Sequence, residues 1–118
     1  MPTDRVAAYI EQFRACLKDP SKPFAMLARI PIKDGTQDEF EAAFAAAIAA
    51  TRSETGVLVY NLNREAADGT RYVVYERWKS LSDLEAHLRK PYIAKLMAVT
   101  DEVLAGAPEF QVLVPAGE

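Results

Sequence analysis

Apolar residues recur along the chain at two periods, and each change of period marks the end of an element. Val6, Ile10, Phe13 and Leu17 follow at steps of four, three and four. That is one face of an amphipathic helix over residues 4–18, with Thr3 as its N-cap. Asp19-Pro20-Ser21-Lys22-Pro23 ends it as a stiff connector, dividing a helical segment (residues 1–23) from a domain over residues 24–115. Phe24, Met26, Ala28, Ile30 and Ile32 then alternate as a first strand. Pro31 has no N–H for a ladder, so it predicts a bulge or the end of pairing. Asp34-Gly35 turns the chain, and Thr36 with Glu39 fits a capping box. The helix it opens has a buried stripe of Phe40, Phe44, Ala47, Ile48 and Thr51.

Gly56 follows that helix, and alternation returns. Residues 57–64 read as a second strand with Val57, Val59 and Asn61 on one face and Leu58, Tyr60 and Leu62 on the other. Asp68-Gly69 is a hairpin signal. Residues 71–79 read as a third strand, with Tyr72, Val74, Glu76 and Trp78 together and Arg71, Val73, Tyr75 and Arg77 opposite. Ser80 with Asp83, or Ser82 with Glu85, caps a helix striped by Leu81, Leu84 and Leu88, and His87 falls within the stripe. Pro91 breaks it and starts another, carrying Ile93, Leu96, Met97, Val103 and Leu104. Residues 110–114 read as a fourth strand. The order β-α-β-β-α-β predicts an α+β, ferredoxin-like fold: a four-stranded antiparallel sheet with the helices on one face, plus the extra N-terminal helix. The other sheet face also carries apolar residues and needs a cover. The same face of a second copy supplies it, so a sheet-on-sheet homodimer is expected.

Composition narrows the class. The 118 residues are 50% hydrophobic and 26% charged, which suits one packed domain. The net charge of −3, with acids and bases interspersed, disfavours nucleic-acid binding. Cys16 is the only cysteine, so no internal disulfide forms; it is expected as a small core residue of the first helix. No apolar run spans a bilayer and no signal peptide opens the chain. A cytoplasmic location, without membrane association, is the expectation.

Thr51-Arg52, Gly56, Tyr60, Glu76-Arg77-Trp78 and Ala86-His87-Leu88, in this order and spacing, resemble the antibiotic biosynthesis monooxygenase family, and within it the small quinol monooxygenase-like members. The likeness covers roughly residues 24–114. It implies a dimeric α+β barrel with a pocket in each subunit between sheet and helices. It also implies oxygenation with no flavin, metal or haem, because an electron-rich phenolic substrate supplies the electrons. The partners implied are a small aromatic substrate and O2. Two departures stand out. Many such sequences carry a second histidine where this chain has Tyr92 after Pro91. The haem-degrading branch of the superfamily uses an asparagine, a tryptophan and a histidine; here His87 falls roughly at that tryptophan, Met97 near the haem-ligating histidine, and the first strand has no asparagine.

Such chemistry needs a base, one or two donors and dry apolar walls, because triplet oxygen reacts with a closed-shell organic only when its anion can give up an electron. His87, the sole histidine, suits the base; the alternative is a helix histidine satisfied by a tyrosine or a backbone carbonyl. Glu76 could orient it by accepting its ring proton, or pair with Arg52, Arg77 or Arg89. Trp78 is a stacking wall or plain core. Tyr60, Tyr72, Tyr75 and Tyr92 are donor candidates. Asn61 could bond a substrate oxygen or sit in a dimer seam, and Arg52 could attract an anion. Two other readings compete: an isomerase of a small phosphorylated signalling metabolite, which would need cations among Arg52, Arg77 and Arg89, and a non-catalytic ligand-binding or dimerising domain.

Overall fold

The computed structural model describes residues 4–117. Its elements run α1 (Arg5–Arg14), β1 (Phe24–Pro31), α2 (Gln37–Thr51), β2 (Val57–Arg64), β3 (Arg71–Trp78), α3 (Leu81–Leu88), α4 (Pro91–Val103) and β4 (Glu109–Leu113). The strands form one antiparallel sheet in the order β2-β3-β1-β4. This is the ferredoxin-like arrangement that the order of periods predicts. All five residues of the expected β1 face are buried. Pro31 closes β1 opposite Arg71, so it ends pairing rather than bulging the strand.

The bulge lies in β2 instead. Val57 pairs with Trp78 and Val59 with Arg77, so Leu58 is the extra residue. Val57 therefore shares the helix-facing side with Tyr60 and Leu62, not with Val59 and Asn61 as strict alternation predicts. Leu58 is left 46% exposed.

Caps differ from expectation at two places. Thr3 lies outside the described residues, and Asp4 caps α1 by accepting from the Ala7 N–H at 3.0 Å. The expected capping box of α2 does not form: the Thr36 hydroxyl turns back to the Lys33 carbonyl at 2.6 Å. Gln37 occupies that turn, accepting from the Gly35 N–H at 2.7 Å and donating to Asp34 at 2.9 Å. Gly35, at φ 92°, supplies the left-handed residue that this turn requires. Ser80 caps α3 as read, accepting from the Asp83 N–H at 3.2 Å.

α1 is shorter than its apolar pattern. Beyond Arg14 the bonds tighten, Cys16 N–H to the Phe13 carbonyl and Leu17 N–H to that of Arg14. The tightening turns Cys16 to solvent, so it is not a core residue. Ile10 and Phe13 are buried with Phe24, Met26, Trp78, Leu81 and Leu84 in one core cluster. α1 thus extends the core across the start of β1. A second cluster lies between the sheet and α2 and α4, around Phe40, Phe44, Tyr72, Val74 and Ile93. No helix among the described residues is long and apolar enough to cross a membrane.

Candidate active site

β3 presents Tyr72, Val74, Glu76 and Trp78 to the helices, and all four are buried. Two backbone bonds fold the chain tightly after Trp78: Lys79 N–H to the Gly56 carbonyl and Leu81 N–H to that of Pro20, each 2.9 Å. α3 therefore returns over the strand it has just left, and His87 lands on Trp78. The ring centroids are 4.5 Å apart at 44°. Tyr60, from β2, meets the imidazole edge-on at 5.0 Å and 65°. The three rings form a cluster, and the imidazole is 2% exposed.

Its polar partner is Glu54. His87 Nδ1 lies 2.9 Å from Glu54 Oε2. The same oxygen accepts the Tyr92 hydroxyl. A carboxylate cannot donate, so Nδ1 carries the proton and Nε2 holds a lone pair. Nε2 makes no hydrogen bond among the described residues, and His87 lines a cavity. The expectation that Glu76 takes the ring proton is not met. On its strand Glu76 sits two residues from Trp78 on the same face, and Glu76 Oε1 accepts the indole N–H at 2.9 Å. The other side of the imidazole faces the turn after α2, where Glu54 stands.

The electrostatics follow from burial. Desolvation drives the His87 pKa below its usual 6.5, although Glu54 pulls the other way. The imidazole is therefore neutral near pH 7 and can accept a proton. Burial pushes Glu76 up to about 7, against the opposing effect of the Trp78 bond. Tyr60 is raised by burial and then by Glu76 and Glu54, so its hydroxyl stays protonated. Tyr92 is raised to about 12 by burial and its bond to Glu54.

His87, Glu76 and Tyr60 converge on a cavity of about 110 Å³ between the sheet and the helices, its walls mainly apolar, among them Met26, Phe44 and Met97. A cavity on the order of 150 Å³ holds benzene, so this space suits one small ring. Trp78 backs His87 from within the core. Tyr92 stands outside the cavity, on Glu54. Tyr72 is buried farther along β3, where its hydroxyl donates to Glu41. Tyr75 and Asn61 pair across the strands on the sheet face turned away from the helices. Arg52 is exposed at the C-cap of α2. Arg89 pairs with Asp4 and Glu85. Arg77 lines a separate groove of about 700 Å³ with Leu58 and Val114. None of these three arginines lines the cavity; the cation that does is Arg5, which is bonded to Asp101. Among the described residues no group of three or more His, Cys, Asp or Glu side chains is disposed to hold a metal ion.

Sequence reasoning missed Glu54; α1, whose role the sequence leaves open, brings Arg5, Tyr9 and Phe13 to the cavity wall. The signal for Glu54 was slight: a carboxylate two residues before a glycine, in a connection without periodicity.

Comparison with known proteins supports the fold and gives the family. Residues 23–99 match the family model described as antibiotic biosynthesis monooxygenase. The Mycobacterium tuberculosis protein named "Putative monooxygenase Rv0793" is 32% identical over 98 residues, spanning 83% of this chain and 96% of its own length. Its solved structure superposes with a TM-score of 0.76 at 30% identity, covering 82% of this chain and 98% of that one. A Caulobacter crescentus structure described as a "putative antibiotic biosynthesis monooxygenase" gives a TM-score of 0.79 at 26% identity, covering 84% and 94%.

Proposed function

Because the chain belongs to the antibiotic biosynthesis monooxygenase family, we propose that it oxygenates a small quinol or polyphenol with O2 and no added cofactor. The observation that carries the reading is His87: a neutral imidazole with Nδ1 fixed on Glu54 and an unpaired Nε2 at a small apolar cavity.

The chemistry balances without an external reductant. Nε2 takes a phenolic proton, leaving a quinol anion in the dry cavity. The anion gives one electron to O2, and the radical pair joins as a C–O bond to form a ring hydroperoxide. The O–O bond then breaks. One oxygen stays as a carbonyl, the other leaves as water with the ring hydrogen and the proton, and the ring tautomerises. The sum is quinol plus O2 giving hydroxyquinone plus water. Tyr60, held protonated, is placed to donate to the phenolate oxygen. Glu76 supplies a second polar group at the wall. Glu54 fixes the tautomer, with Tyr92 bound to the same oxygen where many relatives carry a second histidine.

Oxygen uptake by metal-free protein over a panel of quinols tests the reading. His87→Ala should lower the rate by roughly 10²–10⁴-fold. The acid limb of the pH profile should fall below 6.5, and Glu54→Ala should move it lower still, because Glu54 raises the His87 pKa. Equal rates for wild type and His87→Ala would remove the role given to this side chain. We propose also that a second copy of the chain covers the outer sheet face.

A further inference from the structure

Helix α1 lies outside the residues that match the family model, yet it forms part of the cavity wall. The lining grades from His87 and Glu76, 2% and 6% exposed, to Arg5, whose side chain is 46% exposed. The open end therefore lies at α1. There the ring of Tyr9 meets Phe110 of β4 edge-on, centroids 5.1 Å apart at 63°, and Phe13 meets the same ring at 5.6 Å and 68°. Two ion pairs hold the first turn of α1 down. Arg5 forks onto Asp101 of α4 at 2.7 and 2.9 Å, and Asp4 accepts from Arg89 at 3.2 Å. Phe13 is core, while Tyr9 is half-buried at the open end, its ring against Phe13 and Phe110.

We propose that α1 is the size filter of this site, and that Tyr9, seated against Phe110 at the open end, restricts it to ligands of a single ring. The inference rests on the reading of the cavity as a site for an aromatic ligand. It adds that selectivity resides in a helix added to the family's fold rather than in the sheet or in α3. The hydroxyl of Tyr9 is not required; the volume of its ring is.

Binding tests this without turnover. Calorimetric titration under nitrogen compares 1,4-dihydroxybenzene with 1,4-dihydroxynaphthalene. Wild type should bind the one-ring compound at least about tenfold more tightly, the scale at which a pocket of fixed shape discriminates by size. Tyr9→Phe should keep that preference, and Tyr9→Ala should abolish or reverse it. Tyr9→Leu, which keeps an apolar contact on Phe110, should show the same trend and covers the case in which the alanine variant does not fold. A preference unchanged in Tyr9→Leu, or no preference in wild type, overturns the filter while leaving the aromatic site standing. Binding of neither compound to wild type overturns both.

Discussion

His87 has a carboxylate at 2.9 Å and is nevertheless a weaker base than a free imidazole, because its burial outweighs the ion-pairing partner. Glu76 is the complementary case, a buried carboxyl with one neutral donor and no cation, raised to about 7. That shift is a stability statement. Between the ordinary value of 4.5 and about 7 the folded chain binds more protons at Glu76 than the unfolded chain does, so stability falls as pH rises through this window and levels off above it. The ionised carboxylate then costs on the order of 3 kcal/mol at pH 8, at about 1.4 kcal/mol per pKa unit. Glu76→Gln keeps an acceptor for Trp78 and removes the charge. Its unfolding midpoint in urea should therefore exceed that of wild type at pH 8 and approach it near pH 5; an equal offset at both would contradict the assignment. The place of Glu76 on the buried face was legible from alternation in β3, but its partner was not. Glu54 stands 33 residues from His87 in a connection without a period, and only the folded chain brings the two together.

At the scale of elements, most of the fold could be read because each switch of period coincides with a turn signal. The exceptions are places where side chains competed locally. Gln37 displaced the Thr36 cap of α2, and the Leu58 bulge moved Val57 to the other face of β2. Gly56, just before that bulge, shows why the site assembles. It is buried, and a Cβ there would stand 2.3 Å from Asp83 Cγ and 2.4 Å from Asp83 Cβ. Its backbone thus presses on the first turn of α3, where Ser80 holds Asp83. This close approach sets α3 against the turn that carries Glu54. Gly56→Ala should push α3 outward, cost about 1–3 kcal/mol by overpacking, and lengthen the bond between His87 and Glu54. Thermal unfolding measures the first effect. The downfield Nδ1–H proton resonance of His87 reports the second, and an unshifted resonance would mean that α3 does not rest on Gly56.

For the whole molecule, the decisive asymmetry is that, among the described residues, all four helices leave one sheet face without a helical layer. That face carries Leu27, Val59, Val73 and Tyr75, none fully exposed, and the groove at its end is bordered by Leu58 and Val114, 46% and 62% exposed. A standard interface needs about 800 Å² from each partner, a modest part of the chain's 7045 Å² of accessible surface. Four paired strands offer such an area as one continuous surface, and a two-fold axis through it would place like residues opposite each other. Leu27 is the natural probe. It sits on β1, between Tyr75 of β3 and Gln111 of β4, away from His87 and from both core clusters on the helix side. Leu27→Asp would set two carboxylates into a desolvated seam near the axis, where burying charge outweighs what Arg29, already bonded to Gln111, can return. Light scattering at micromolar concentration should give twice the chain's 13.0 kDa for wild type and the monomer mass for Leu27→Asp, with the helical circular dichroism of the variant retained. A wild-type monomer under these conditions would mean that this sheet face is stable against water alone, and the two-fold arrangement would have to be given up.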